Sequence, residues 1–231
     1  MEYLPNGFTL ELSPGCFPLS TDSMVLAHFA RLPKHARVLD LGSGCGTLGL
    51  LLCAKDSLCH VTGLELTETA HLAALHNIRS NHLESRMESI CADLRQFSAQ
   101  ITPGSFGVCI SNPPYFSGGP ASRENTTARR EDTCTLAELM TAASRAIKFG
   151  GDFFLVHKPE RLAEAIAKAA ENGMEAKRLC LLRHKENCPV TLILLHFRKG
   201  AKPGLILEEQ ALFDKNGNPT SFYKEVYHLI P

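Results

Sequence analysis

Two spacings of hydrophobic positions take turns along this chain. Short apolar runs with strand character lie at Arg37–Leu41 (RVLDL), His60–Leu66, Met87–Ala92, Gly107–Ser111, Asp152–His157, Leu179–Leu182 and Val190–Phe197. Between the earlier ones fall segments with helical spacing: TLGLLLCAK after residue 46, Glu68–His82, Thr135–Lys148 and Pro159–Asn172. Gly150-Gly151 and Gly173 punctuate the last two. Strands alternating with helices predict an α/β fold, a mostly parallel sheet of seven strands with helices on both faces. The last two strands have only a loop between them, so they form an antiparallel hairpin.

The flanks carry no comparable period. Residues 1–34 read as an N-terminal extension folded over the sheet's top, and 203–231 as a C-terminal hairpin and helix appendage. In the latter, Lys215–Pro219 is a turn and Thr220 the N-cap of a short helix. The whole of 1–231 is expected to be a single domain, with neither internal repeat nor second core. The polar stretch Ser117–Asp132 reads as a mobile loop.

Composition narrows the picture. The chain has 231 residues, 44% apolar and 21% charged, with 24 Lys and Arg against 24 Asp and Glu. A neutral total excludes a footprint for nucleic acid spread over the whole surface. The charge is uneven, however: Ala121–Lys202 holds 15 basic and 10 acidic residues, the remainder 9 and 14. A basic half is compatible both with RNA on one face and with ordinary solvated helices. The nine cysteines are scattered without C-x-x-C spacing, which argues against a disulfide framework and a zinc site and for a reducing compartment. The N-terminus has no signal-peptide pattern and no apolar run is long enough to span a membrane, so the expectation is a cytoplasmic protein with neither metal nor membrane partner.

Candidate chemistry sits where strands end. VLDLGSGCGTLGL runs from a strand through a Gly-rich turn into a helix, with Gly42, Gly44 and Gly46 at alternating positions. Glycine lets the backbone turn tightly and approach a ligand without a Cβ in between. A helix N-terminus favours an anionic group, while Asp40 repels pyrophosphate and attracts an amine. A ligand carrying both amine and carboxylate fits: the amino-acid end of S-adenosylmethionine. Glu65 ends the second strand 25 residues after Asp40, where such folds place an acid on ribose hydroxyls. Asp93 ends the third, either accepting from an adenine amino group or capping a helix at Leu94.

The fourth strand ends on the same edge in Asn112-Pro113-Pro114-Tyr115. A turn that merely stops the strand is one reading, since proline gives no N–H to a ladder. The other is a rigid pincer for a flat amine: the Asn112 side-chain oxygen and the Pro113 carbonyl each accept one N–H, and Tyr115 stacks on the plane. Both bonds strengthen as positive charge develops on the nitrogen, which favours the transition state.

This order, Gly-rich loop, Glu, Asp, then NPPY, resembles the Rossmann-like class I methyltransferases that use S-adenosylmethionine to methylate nitrogens conjugated to planar systems. Nearly the whole chain is similar to the bacterial tRNA1(Val) (adenine-37-N6)-methyltransferase family. The resemblance is carried by FPLSTDSMVLAHFA (17–30), with Asp22 at the family's acidic position, and by TARRED (127–132), FFLVHKPERLAEAI (153–166) and ALFDKNGNPT (211–220). It implies a cytoplasmic tRNA methyltransferase, catalytic residues Asn112, Pro113, Pro114 and Tyr115, and a cofactor site of Asp40, Leu41, Gly42, Ser43, Gly44, Gly46, Glu65, Leu66, Asp93, Leu94 and Asn112. S-adenosyl-L-homocysteine is the implied product, tRNA the partner and a monomer the favoured state. Guanine N2, a protein glutamine amide, and an inactive cofactor-binding module that holds RNA are the alternatives.

Overall fold

The period-two runs assemble into one central sheet. The computed structural model describes residues 1–4, 7–12, 18–114 and 134–228, with only the backbone at 97–99. A small antiparallel pair, β1 (Glu2–Tyr3) and β2 (Thr9–Leu10), comes first. Helix α1 (Thr21–Phe29) leads to β3 (Arg37–Leu41), α2 (Thr47–Lys55), β4 (His60–Glu65), α3 (Glu68–Ser80), β5 (Met87–Cys91) and β6 (Phe106–Ser111). Then follow α4 (Leu136–Ala146), β7 (Ile147–His157), α5 (Leu162–Glu171), β8 (Met174–Lys185), β9 (Val190–Lys199), β10 (Ile206–Phe213) and α6 (Ser221–Val226). The sheet order is β10-β8-β9-β7-β6-β3-β4-β5, parallel except for β9, which runs against both neighbours.

All seven expected strands are present, and the expected closing hairpin is β8–β9. The structure adds an eighth. The stretch read as an appendage supplies β10, which joins the sheet in parallel beside β8. Its acidic residues hid the strand period. Glu208 is neutralised where it lies, because the Arg178 guanidinium donates to it at 2.9 and 3.0 Å. Beyond β10, Thr220 does cap α6, its hydroxyl accepting from Tyr223 N–H at 3.2 Å.

Two other boundaries differ. Helix α4 is closed at its start by a capping box between Thr135 and Glu138, as its sequence suits, but ends at Ala146 rather than at the glycine pair. Gly150-Gly151 lies inside β7, where the register against β6 shifts. A Cβ on Gly151 would meet carbonyl oxygens of Lys148 and Gly107 at 2.9 and 3.0 Å, so the irregularity itself demands glycine. Helix α1 had no periodic signal because Ser23, Met24, Val25, Leu26, Ala27 and Phe29 are all buried, which leaves no polar stripe.

Alternation along the strands sorts the core into two layers. Val38, Val108, Ile110, Phe154 and Val156 pack with α1, α2 and α3, whereas Leu39, Leu41, Cys109, Phe153 and Leu155 pack with α4 and α5. Asp40 and Asn112 share the parity of Val38 and Ile110. Their side chains therefore belong to the α1–α2 face, at the carboxyl ends of adjacent strands. Among the described residues no helix is long and apolar enough to cross a membrane.

Candidate active site

The Gly-rich turn is built by positive-φ backbone. Gly42, Gly44 and Gly46 have φ of +74°, +55° and +89°, and Gly46 stands at the N-cap of α2. The turn is sewn to β4, since Gly42 and Ser43 N–H both donate to the Leu64 carbonyl, at 2.9 and 3.1 Å. Gly63, facing the turn from β4, is glycine for a spatial reason. A Cβ there would come within 2.7 Å of Ser43 Oγ and 2.9 Å of Ser43 Cβ.

Glu65 stands at the end of β4, buried, with its carboxylate oriented from both sides. Oε2 accepts from Gly44 N–H at 2.9 Å, and Oε1 accepts from the N–H and hydroxyl of Thr67, each at 2.8 Å. A carboxylate oxygen has room for two donors, so Oε2 retains capacity for a ligand hydroxyl. Leu66, next in the chain, is 43% exposed and offers apolar surface at the rim.

Asp40 lies at the floor. It is almost fully buried, and its Oδ1 has no hydrogen-bond partner among the described residues. Burial first, and the charge of Glu65 second, push its carboxyl up to about 8. Buried Ser43 Oγ is likewise without a partner among them. Two orphaned oxygens in a native core call for a missing ligand or water. Leu41 plays no such part through its side chain, which is in the opposite core layer, while its carbonyl accepts from Ser111 Oγ at 2.8 Å.

At the end of β5, Asp93 takes the capping role that its sequence left open. Its carboxylate accepts from Arg95 N–H at 2.9 Å and holds the Arg95 guanidinium, bonds that keep its pKa below the usual carboxylate range. Leu94 is partly buried against the α4–α5 core.

At the end of β6, Asn112 and Pro113 are half-buried and Pro114 is exposed. Asn112 Nδ2 donates to Ser23 Oγ of α1 at 3.0 Å. Tyr115 lies outside the described residues, as do Ser117–Asp132 and the TARRED segment. His157, ending β7, is buried and accepts the Lys158 N–H on Nδ1 at 2.8 Å. Burial, helped by Arg161, lowers its pKa to about 4, so it is neutral.

Sequence reasoning missed two residues. Ser23 gave no sign because its partner is 89 positions away. Asn77 passed for a small residue on the inner face of α3. It is fully buried, and its Nδ2 donates to the Cys45 carbonyl inside the Gly-rich turn and to the Glu11 carbonyl, both at 3.0 Å. Its Oδ1 accepts from Glu11 N–H at 2.8 Å. A polar residue on an apolar helix face was the available signal. Among the described residues no group of three or more His, Cys, Asp or Glu is placed to hold a metal ion.

A family model described as the methyltransferase small domain matches residues 19–177. The tRNA1(Val) (adenine(37)-N6)-methyltransferase of Photobacterium profundum is 30% identical over 187 residues, 78% of each chain. The chain belongs to this methyltransferase family. Similarity of fold reaches further than sequence. A predicted O-methyltransferase, protein Atu636 from Agrobacterium tumefaciens, superposes on the methyltransferase with a TM-score of 0.75 at 21% identity, covering 90% of this chain and 96% of its own. The geranyl diphosphate C-methyltransferase from Streptomyces coelicolor A3(2), solved with Mg2+, geranyl diphosphate and S-adenosyl-L-homocysteine, has a TM-score of 0.59 at 11% identity, covering 77% and 76%.

Proposed function

We propose that this methyltransferase acts on the exocyclic N6 of adenine in tRNA, with adenine-37 of a valine tRNA as the specific target. Its cofactor is S-adenosylmethionine, which supplies an activated methyl group when bound. The residues at the strand ends fit that molecule. Asp40 Oδ1 and Ser43 Oγ, unpartnered among the described residues, accompany a turn in which a Cβ on Gly42 or Gly44 would meet no atom within 4 Å, and this combination suits an ammonium and carboxylate. Glu65 keeps an acceptor for ribose hydroxyls, and in this reading Leu66, Asp93 and Leu94 receive the adenine ring.

The observation that carries the substrate reading is Asn112 at the end of β6, on the same sheet face as Asp40, with its amide NH2 turned to Ser23. In this reading the amide oxygen is the end that meets the substrate amine. Asn112 Oδ1 and the Pro113 carbonyl accept its two N–H groups, and both bonds tighten as the nitrogen becomes positive. The prolines hold the carbonyl direction, which lowers the reorganisation needed at the moment of transfer. Tyr115 stacks on the base, a contact worth ~1–3 kcal/mol. A conjugated amine needs no general base before transfer, so the proton leaves to water afterwards. An anticodon-loop adenine is already unpaired, so flipping it costs little.

The test is to incubate the purified protein with labelled S-adenosylmethionine and unmodified bulk tRNA, then digest and identify the labelled nucleosides. N6-methyladenosine that disappears with Asn112→Ala is expected. Label in guanosine would replace adenine by guanine N2, and no label in any nucleoside would end the tRNA reading.

A further inference from the structure

We infer that a row of rings at the C-terminal end of the chain, His184, Phe213, Tyr223 and Tyr227, is the platform on which the unpaired nucleotides flanking the target adenine stack. The inference deepens the tRNA reading and rests on it.

Strand direction puts the row beside the methyl-transfer site. β7, β8 and β10 run the same way as β6, so His184, next to last in β8, and Phe213, last in β10, stand on the carboxyl edge that carries Asn112. After β10 the stretch ALFDKNGNPT closes on itself. The Asp214 carboxylate accepts from the N–H groups of Asn216 and Asn218 at 2.8 and 2.9 Å, and from Asn218 Nδ2 at 3.0 Å. Phe213 pairs with Pro219 across the turn, and Thr220 Oγ1 donates to the Ala211 carbonyl at 2.6 Å. This built turn launches α6, which buries Phe222 and Val226 and sets Tyr223 and Tyr227, four positions apart, along another stripe. Ring then follows ring. Centroids are 5.1 Å apart from His184 to Phe213, 5.1 Å from Phe213 to Tyr223, and 4.4 Å from Tyr223 to Tyr227. The Tyr227 hydroxyl lies 3.1 Å from Thr21 Oγ1 at the start of α1. Two residues on, Ser23 Oγ is 3.0 Å from Asn112 Nδ2. The row therefore ends where the proposed amine pincer begins.

The rings do more than fill the core. Phe213, Tyr223 and Tyr227 pack against the α1–α2 layer, yet each is only half-buried, and His184 at the outer end is exposed. Contiguous rings open to solvent are what single-stranded RNA modules use to hold splayed bases. An adenine held at Asn112 is tied covalently to its neighbours, which must cross the adjoining surface. Charge favours bases over phosphates as the groups recognised. Lys185, Lys215 and Lys224 each follow a ring by one or two positions, but Glu186, Asp214 and Glu225 offset them. With no excess of positive charge along the row, stacking is the attraction it offers.

The chain contains no tryptophan, so Tyr223→Trp places a single indole in the row. The probe is an unmodified stem–loop RNA with the anticodon arm of a valine tRNA. Its addition is expected to quench the indole emission, with an affinity within about twofold of wild type. Tyr223→Leu keeps apolar packing but has no π-face, and His184→Ala removes an exposed ring. Both are expected to bind the RNA about fivefold or more weakly, with melting temperature and S-adenosylmethionine affinity unchanged. Tyr223→Leu is also expected to keep the wild-type slope of affinity against salt, since it removes no phosphate contact. Indole emission unquenched by saturating RNA would overturn the inference. So would wild-type RNA affinity in His184→Ala and Tyr223→Leu, or in His184→Ala alone should the leucine variant not fold. If wild type methylates tRNA while these variants bind as tightly, the inference falls and the tRNA reading stands. If wild type labels no nucleoside, the tRNA reading falls, and quenching by the stem–loop still decides whether the rings hold unpaired bases.

Discussion

Asn77→Ala removes the clamp between the N-terminal strand segment and the cofactor turn. Three backbone groups lose their bond to Asn77: the Cys45 carbonyl, in a buried bond, and the N–H and carbonyl of Glu11, in part-buried ones. A buried polar group left unsatisfied costs ~1–3 kcal/mol, and groups that water can reach cost less. With a small cavity added, the sum is about 3 kcal/mol. For a chain of this size that corresponds to a fall in Tm of roughly 6–12 °C. The effect also reaches function. The Cys45 carbonyl belongs to the Gly-rich turn that the proposed function assigns to the cofactor, so losing the Asn77 bond is expected to weaken cofactor binding by about threefold to tenfold. Urea denaturation at constant m value and calorimetric titration with S-adenosylmethionine measure the two effects. Asn77→Asp is expected to be worse than alanine, because a buried carboxylate would face two carbonyl oxygens. A loss of stability below about 1 kcal/mol together with unchanged cofactor affinity would refute the reasoning, since the three bonds would then do nothing that water could not.

Three further outcomes follow from the same geometry. Asp40 has a folded pKa of about 8 against an ordinary 3.8, so the folded chain keeps a proton that the unfolded chain has lost. Its contribution to stability is full below the lower value, falls by about 1.4 kcal/mol per pH unit as pH rises through the window, and is gone above the upper one. Asp40→Asn is expected to remove that slope in pH-dependent denaturation of the cofactor-free protein. His157 titrates in the opposite sense, with its pKa lowered from 6.5 to about 4. Its contribution is present above the ordinary value and lost as pH falls through the lowered one, so His157→Gln is expected to flatten acid destabilisation. Gly63→Ala drives a Cβ to 2.7 Å from Ser43 Oγ, and is expected to displace the cofactor turn and weaken cofactor binding by tenfold or more while leaving the distant hairpin β8–β9 protected from hydrogen exchange.

Much of the fold was legible because each central strand is a short apolar run and most of the helices between them are punctuated by glycine or a cap. These are local properties, set by which backbone shape a residue tolerates and by which face it must bury. The same locality made Asp40, Glu65 and Asn112 legible as a group. In a parallel sheet, residues that end strands meet at one edge whatever the loops do, so their order in the chain was enough to bring them together. Strand β10 and helix α1 were not legible, for opposite reasons. The acidic residues of β10 lie on a partly exposed edge strand, with Arg178 beside Glu208 and Arg183 near Glu209, whereas α1 is buried on too many sides to show a stripe.

By itself, then, the amino-acid order determined the alternating architecture and the placement of Asp40, Glu65 and Asn112 at strand ends, since each depends on neighbours in sequence. Only the tertiary structure decided how those groups are set. Burial strands Asp40 without a partner among the described residues, Thr67 and Gly44 aim Glu65, and Arg95 claims Asp93. Asn77 reaches 66 positions back to Glu11, and Asn112 reaches 89 back to Ser23. The physical reason is that a hydrogen bond has direction and a polar group in a core must be satisfied. Which donor meets which acceptor depends on where folding brings residues that the chain keeps far apart.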